Sequence, residues 1–265
     1  MRLKWRVDEP WLEHAIDIIY ADYGHKVSAT RKNKDLLKFG RTEEVQTTKT
    51  TIMAHKSGTY NETYVSTNII DTVSSSSGSD TEILTVEGHT IDGSGDFTFV
   101  VQSATLDGQN KVTLSTPLAR MTRMYNANST DLVGTVYGYQ DSAITSGVPN
   151  TGSLVHCVIP AGLNQSEKCS TTISSTDYWL ITSIRGGVVE KTLSYGDFNL
   201  EVRLQGGVFR DIQDFTSGSG SDGGYKFKPY LIIPPNSDVR IRATASANNK
   251  EMNASIQGVL LKIYS

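Results

Sequence analysis

Several sets of residues have types and spacings that suit chemistry, and a glycine pattern near the C-terminus is the first of them. Gly218-Ser-Gly-Ser-Asp-Gly223 matches the GxGxxG pattern of a dinucleotide-binding turn. Such a site needs a helix after the turn, because the helix N-terminus meets the pyrophosphate. The residues from Tyr225 onwards alternate as a strand does. The pattern therefore indicates a flexible loop between two strands.

The ionisable residues form no strong metal or nucleophile pattern. The five histidines are scattered, and none has a partner at the spacing of a metal site. No GxSxG elbow is present for a serine nucleophile. Asp92 and Asp96 share one turn, DGSGD, which suits a hairpin or a weak calcium loop without the downstream glutamate of an EF-hand. Carboxylate pairs for glycoside cleavage would assemble from distant strands, so the sequence leaves them open.

Cys157 and Cys169 flank the segment IPAGLNQSEK, which is typical of a hairpin turn. In a hairpin centred near Leu163 the two thiols would face each other, and a cross-strand disulfide fits that spacing. Two reduced thiols are the simpler expectation for a protein made in the cytosol. A metal site would need two more ligands, and His156 supplies at most one. The sequence predicts neither a metal nor a cofactor.

Aromatic side chains could serve as platforms for sugar rings. Tyr178 and Trp179 lie in one predicted strand, and Tyr225, Phe227 and Tyr230 lie in another. Core packing explains the alternation in the second strand, and sugar binding at exposed positions is the alternative.

Composition favours a β-rich structural or interaction protein. The 265 residues suffice for one large β-domain or two ordinary ones. Charged residues make up only 20%, which excludes a highly charged disordered chain. The net charge of −3 argues against nucleic acid as a partner. No stretch approaches the ~18 apolar residues of a membrane span, and the N-terminus lacks the apolar core of a secretion signal. We expect synthesis in the cytoplasm and no membrane partner.

Residues 1–24 contain a convincing helix pattern. Asp8 suits the N-cap, Pro10 suits the first turn, and Gly24 suits the C-terminal end. The apolar stripe of this helix consists of Leu12, Ile16, Ile19 and Tyr23, and it is widened by Trp11, Ala15 and Ile18. A stripe of this width must be buried, either on the chain's own β-domain or on a neighbouring subunit.

Residues 25–41 hold six Lys or Arg against one Asp and show no strong period. We interpret them as an extended basic arm, which is either a solvated connector or a tether on an acidic partner surface. The helix and the arm together supply the predicted partner-docking residues, which are Trp11, Leu12, Ile16, Ile19, Tyr23, Arg31, Lys32, Lys34, Lys38 and Arg41.

The remainder of the chain shows short strands that recur every ~10–14 residues between turns, which is typical of an antiparallel sandwich or barrel. We predict an all-β fold in which two antiparallel, jelly-roll-like β-sandwich domains follow the N-terminal amphipathic helix and extended arm. The expected boundaries are 1–41 for the docking segment, 42–140 for the first domain, 141–152 for a linker and 153–265 for the second domain.

The clearest strand pattern lies in FNLEVRLQ. Leu200, Val202 and Leu204 should point into the core, and the residues between them should point outwards. DVRIRA repeats the pattern, with Arg240 and Arg242 pointing outwards.

Three blocks of sequence carry a resemblance to a known group of proteins. They are LLKFGRTEEVQTTKTTIMAHKSGTY (36–60), the stretch from SSSSGSD to RMTRMY (74–125), and a closing block with VRLQGGVFRDIQDF, KPYLIIPPNSDVRIRATASANN and GVLLKIY. Together they resemble virion structural proteins of tailed bacteriophages that infect aquatic bacteria. The N-terminal helix departs from this pattern.

The resemblance implies a non-enzymatic virion protein that decorates or cements the capsid exterior through its N-terminal segment. The alternative is a neck or tail-fibre adaptor, or a virion protein that binds a host surface glycan. Homo-oligomers, with a trimer as the expectation, follow from the symmetry of virions. The implied partners are other copies of the chain and the major capsid protein or a neck or portal-associated protein. The resemblance supplies no catalytic residues.

Overall fold

The computed structural model describes residues 14–15, 17–19, 21, 26–27, 34–53, 62–189 and 194–264. The described residues before 22 are helical, and Gly152–Leu154 forms a short 3-10 helix. Strands and their connections make up the rest, and they assemble into antiparallel sandwiches. The predicted all-β fold class is therefore confirmed.

The strands of the described residues are numbered in chain order. They are β1 Lys26–Val27, β2 Lys34–Val45, β3 Thr50–Thr51, β4 Ile70–Ser75, β5 Ile83–Ile91, β6 Phe97–Thr105, β7 Val112–Leu118, β8 Arg120–Asn126, β9 Val136–Gln140, β10 Ile144–Thr145, β11 Val148–Pro149, β12 Val155–Ile159, β13 Ser170–Thr172, β14 Asp177–Val188, β15 Tyr195–Arg203, β16 Arg210–Gly218, β17 Asp222–Ile233, β18 Asp238–Ala245 and β19 Lys250–Tyr264.

One sandwich has the strand order of a jelly roll. Its first sheet runs β2-β19-β14-β17, and β1 continues the β2 edge beside β19. Its second sheet runs β13-β18-β15-β16, and β3 shares the position of β13 because both pair with β18. Along the chain, the first strand position pairs with the eighth, the second with the seventh, the third with the sixth and the fourth with the fifth. This is a long antiparallel hairpin rolled upon itself, the arrangement of a double-sheet jelly roll.

Alternating apolar side chains fill the space between the two sheets of the jelly roll. Val239 and Ile241 lie in this core beside Leu200 and Val202, which confirms the predicted direction of those side chains. Leu204 is instead 54% exposed, because β15 ends at Arg203 and the alternation stops there.

A second sandwich, which we call the inserted sandwich, occupies residues 62–167 between β3 and β13. It consists of the sheets β12-β9-β4-β7 and β6-β5-β8, packed across their own apolar core. The chain leaves the jelly roll after Met53 and returns at Lys168, and these two residues form an antiparallel bridge. The inserted sandwich is therefore tied at its base to one end of the jelly roll.

This arrangement differs from the expected domain boundaries. β2 and β3 are strands of the jelly roll, although they fall in the expected arm and first domain. The expected linker, 141–152, contains the hairpin β10–β11, which packs beside β9 and β12. The boundaries differ because the pairing of Leu36 with Gly258 joins residues more than 200 positions apart, and no local pattern reports such a pairing.

The N-terminal helix covers the outer face of the first jelly-roll sheet. Ala15 and Ile19 are fully buried there, in a cluster with Tyr178, Leu180 and Leu261. The sequence left open whether the helix packs on the chain's own β-domain or on a neighbouring subunit. At Ala15 and Ile19 the structure shows packing on the chain's own β-domain.

The two cysteines lie in different cores. Cys157 is in the core of the inserted sandwich and Cys169 is in the core of the jelly roll, and both are free and buried. Cys157 pairs in β12 with Gly138 of β9, and the Cys169 N–H donates to the Ile52 carbonyl at 2.9 Å. The two residues therefore do not face each other across a hairpin.

Candidate functional site

The contact between the two sandwiches gathers buried charged side chains and is the candidate functional site. The residues that point outwards from the jelly-roll core on β15 and β18 meet residues of the inserted sandwich there. We call the contact residues of the two sandwiches the joint. The joint consists of Glu62, Tyr64, Arg120, Lys168, Arg203 and Asp238.

Asp238 is the first centre of the joint and is 2% exposed. Its Oδ1 atom accepts hydrogen bonds from Arg120 Nε at 2.9 Å and from Thr172 Oγ1 at 2.7 Å, and its Oδ2 atom accepts from Arg203 Nε at 3.0 Å. Burial alone would raise the pKa of Asp238, but the two guanidinium groups hold that pKa below its ordinary value. Because Arg120 belongs to β8, this ion pair connects the inserted sandwich to the jelly roll.

Glu62 is the second centre. Lys168 Nζ lies 2.7 Å from Glu62 Oε1, Ser170 Oγ donates to the same oxygen at 3.0 Å, and Tyr64 Oη donates to Oε2 at 2.8 Å. Lys168 Nζ also donates to the carbonyls of Met121 and His156, both at 2.8 Å. Burial opposes the charge on Glu62, but Lys168 and Tyr64 keep its pKa below the ordinary value. Both charged groups are therefore partnered on all sides.

Aromatic rings connect the two centres. Tyr64 and Phe209 make an edge contact with 4.8 Å between ring centroids. The guanidinium of Arg203 lies 4.5 Å above the Tyr64 ring, and that of Arg240 lies 3.7 Å from the Phe209 centroid. Such cation–π contacts strengthen as water is excluded; Arg240 is buried, and Tyr64, Arg203 and Phe209 are partly buried.

A further ion-pair group lies next to the joint on the same sheet. Glu201 is 2% exposed and accepts from Arg240 Nε at 2.7 Å and from Arg242 Nη2 at 2.6 Å. Glu201 and Arg240 are direct cross-strand neighbours in β15 and β18, which brings their side chains together on one face. Lys49 Nζ approaches Glu201 at 3.5 Å from the connection between β2 and β3.

Hydrogen bonds from turns complete the contact between the sandwiches. Asn236, in the turn before β18, accepts from the Phe97 N–H at 2.9 Å and donates to Asp96 Oδ1 at 2.7 Å. The Ser175 N–H donates to the Phe97 carbonyl at 2.8 Å. The turn at the tip of the β5–β6 hairpin is thereby fixed to the jelly roll, so the contact is suited to holding the two sandwiches in one orientation.

The motifs singled out in the sequence have structural roles. Asp92 Oδ1 accepts from the N–H groups of Ser94 and Asp96, both at 2.9 Å, and so closes the hairpin turn. Gly218–Gly223 forms the tight connection from β16 to β17, with no helix after it. Across the described parts of the chain, no group of three or more His, Cys, Asp or Glu could hold a metal ion. In the same parts, no helix has the length and apolar character needed to cross a membrane.

Comparisons with known proteins give a fold likeness only. No protein-family model matches this chain, and no curated protein matches it. Among solved structures, it is similar to the structure of infectious bursal disease virus Gt strain, with 11% identity over 91% of this chain and 78% of the other and a TM-score of 0.20. The crystal structure of the infectious bursal disease virus VP2 subviral particle gives 10% identity over 96% and 78%, with a TM-score of 0.22. A likeness at this level does not transfer function to this chain.

The structure describes four of the ten predicted docking residues. Trp11, Leu12, Ile16, Tyr23, Arg31 and Lys32 lie outside the described residues. Ile19 is buried against the first jelly-roll sheet, and Lys34 lies at the start of β2 opposite Leu260. Arg41 Nε lies 2.6 Å from Glu251 Oε1 on the next strand, β19.

Lys38 differs most from the role expected of it. It lies in β2 and is 8% exposed, and its Nζ donates to the Thr122 carbonyl of the inserted sandwich at 3.3 Å. Burial, opposed in part by Glu87, lowers the pKa of Lys38 to about 8. Ile19 and Lys38 therefore make buried contacts within the protein and do not lie on an exposed docking surface.

The aromatic residues considered for sugar binding are mostly internal. Trp179 and Tyr178 are fully buried on opposite faces of β14, and Tyr230 is 8% exposed under the N-terminal helix. Tyr225, at 43% exposure, is the accessible member of that group.

The joint itself was not foreseen from the sequence. The alternation in β15 and β18 predicted that Glu201, Arg203, Arg240 and Arg242 point away from the jelly-roll core, and they do. The sequence did not predict that the inserted sandwich covers this outer face of the sheet. Complementary charges on two strands some 40 positions apart were the available signal.

Proposed function

We propose that this protein is a non-enzymatic structural subunit of a virus particle, in which the jelly roll makes the contacts with neighbouring subunits and the inserted sandwich projects from it. The observation that carries the proposal is the complete jelly-roll strand order with a second sandwich inserted at one end. Jelly rolls build viral capsids but also lectins and cupins, so the fold alone does not decide between them.

The resemblance to virion proteins of tailed phages supports a virion protein over a lectin or a cupin. Its closing block covers all of β18 and parts of β15, β16, β17 and β19, and its middle block covers the end of β4 and nearly all of β5 to β8. The likeness therefore falls on both sandwiches. On this basis we assign the protein to the exterior of a tailed-phage head, as a decoration or cement subunit present in symmetric copies, with a trimer as the expected state.

The arrangement of the joint fits this role. A projecting domain on a particle must hold one orientation relative to the shell, and charge pairs that are buried and fully partnered favour one geometry over others. Decoration would stabilise the shell because the subunit binds the assembled lattice better than free capsid protein, which is a mass-action effect.

Location on the particle tests the proposal and separates it from the alternative of a neck or fibre adaptor. Particles of the virus whose genome encodes this chain would be labelled with an antibody against residues 62–167 and imaged by electron microscopy. We expect label over the whole head surface. Label confined to the neck or fibres would favour the adaptor, and particles without label would contradict a structural role.

The N-terminal docking hypothesis needs a narrower test than deletion of residues 1–41, because that deletion would remove eight of the twelve residues of β2. Trp11→Ser combined with Leu12→Ser leaves every strand in place and removes two residues of the predicted docking stripe. We expect this variant to fold like the wild type and to lose co-sedimentation with heads that lack the protein. The control is Leu37→Ser, at an exposed position of β2, and equal binding by all three proteins would contradict N-terminal docking.

A further inference from the structure

Two buried histidines flank the joint, and the first is His89. It lies in β5, is 3% exposed, and packs edge-on against Phe97 and Phe99 with centroid distances of 6.4 and 5.3 Å. Its Nδ1 atom has no hydrogen-bond partner among the described residues. His89 is also the direct backbone neighbour of Arg120, which makes the main ion pair of the joint.

The second is His156 in β12, which is 2% exposed. Its Nε2 atom likewise has no partner within the described part of the chain. Its backbone carbonyl accepts from Lys168 Nζ at 2.8 Å, the same ammonium group that pairs with Glu62. Both histidines are therefore neighbours of the charged groups that connect the two sandwiches.

The charges that face these imidazoles come from both sandwiches. His89 is faced by Lys38 from β2, Asp238 from β18 and Arg120 from β8. Burial and then Lys38 lower the pKa of His89 to about 3, with Asp238 opposing.

His156 is faced by Lys168, Glu62 and Arg120 and contacts the backbone of Thr63. Burial and then Lys168 lower the pKa of His156 to about 3, with Glu62 opposing. Each imidazole is neutral as long as a lysine of the jelly-roll side is held beside it and water is kept away. Separation of the sandwiches would remove both conditions.

We propose that the joint is an acid-sensitive latch, which releases the inserted sandwich from the jelly roll when His89 and His156 bind protons, while each sandwich stays folded. His89 is faced by Lys38 and Asp238 of the jelly roll, and His156 is faced by Lys168 where the chain returns to the jelly roll, so protonation acts on the contact between the two sandwiches. This regulatory role goes beyond the proposed structural function and does not depend on it.

The direction of the pH effect follows from the lowered pKa of each histidine. The closed form excludes protons that the open form binds, so the closed form loses stability as pH falls below the ordinary histidine value of about 6.5. At pH 4.5 the ratio of open to closed protein should rise by about 100-fold for each histidine and about 10⁴-fold for the pair.

Three charged groups that face the histidines, Lys38, Asp238 and Glu62, keep their charge in this window. Lys38 stays protonated throughout it, since its pKa is about 8. The pKa values of Asp238 and Glu62 are lowered, so the stability that these carboxylates contribute is present above their ordinary values near 4 and is lost only below them.

The test is small-angle X-ray scattering of the full chain between pH 7.5 and 4.5, with near- and far-UV circular dichroism on the same samples. We expect the maximum dimension to increase below pH 6.5 while both dichroism spectra stay unchanged. The double variant His89→Asn/His156→Asn cannot take up these protons, and it should stay compact down to pH 4.5. The matched control is His14→Asn, at an exposed helical position, and it should expand as the wild type does.

Three results would overturn the latch. They are a wild-type protein that stays compact down to pH 4.5, an expansion that coincides with loss of the dichroism signal, and a double variant that expands like the wild type. If the double variant does not fold, NMR titration of the wild-type histidine ring signals replaces it. At least two rings should then titrate far below 6.5 and together with the expansion, and titration of every ring near 6.5 would refute the proposal.

Discussion

At the residue scale, two buried lysines occupy opposite situations. Lys168 has Glu62 at 2.7 Å and two backbone carbonyls at 2.8 Å. Lys38 donates to one carbonyl at 3.3 Å and, among the described residues, has no carboxylate at salt-bridge distance. A buried charge without a partner lowers stability. Removal of one partner from a buried ion pair creates such an unpaired charge, so it also lowers stability.

Replacement of the two lysines by methionine should therefore change stability in opposite directions. Lys38→Met should raise the free energy of unfolding at pH 7 by about 1–3 kcal/mol, because the desolvated ammonium is removed. Lys168→Met should lower it by about 3–5 kcal/mol, because Glu62 is left buried without its partner. Urea unfolding of the three proteins measures both changes.

The pH dependence of the same variants gives an internal check. Because the pKa of Lys38 is lowered to about 8, the unfolded chain binds a proton that the folded protein releases between about pH 8 and 10.5. Wild-type stability should gain a rising contribution across that range, and Lys38→Met should lack it. A destabilised Lys38→Met protein, or a difference between the two proteins that does not change with pH, would contradict this account of Lys38.

At the element scale, β2 shows why part of the fold could not be predicted. Its interior-facing positions include Lys38, Gly40 and Thr42, whereas Leu37 and Phe39 face outwards. This pattern is the inverse of the usual strand alternation, so a search for apolar periodicity finds a basic arm instead. The strands β15 and β18 carry the usual alternation, and the sequence predicted them correctly.

The N-terminal helix is the other element whose role depends on the structure. The sequence shows its apolar stripe but not the surface beneath it, since Tyr178 and Leu261 come from strands far along the chain. A fully buried isoleucine at the helix–sheet contact contributes through transfer and cavity terms.

We expect Ile19→Ala to lower the free energy of unfolding by about 2–4 kcal/mol. Leu37→Ala is the control, since Leu37 is 59% exposed and its truncation should change stability by less than about 0.5 kcal/mol. Chemical denaturation measures both variants. An Ile19→Ala protein as stable as the control would show that packing of the helix on this sheet does not stabilise the protein in solution.

At the scale of the whole molecule, the sequence predicted an all-β fold of antiparallel strands but not which strands pair. A jelly roll pairs its first strand with its last, and here the inserted sandwich separates β3 from β13 by more than 100 residues. The paired strands share a core whose residues lie far apart in the chain, so the pairing has no local signature. The two sandwiches were predicted, but the insertion of one into the other was not.

Electron cryo-microscopy of purified particles of the virus that we propose to encode this chain tests the central proposal most directly. The account predicts symmetric density on the head that accepts the jelly roll and the inserted sandwich together, with the jelly roll against the shell and the inserted sandwich pointing outwards. Particles that contain no density for either sandwich, and no peptide of this chain by mass spectrometry, would contradict it.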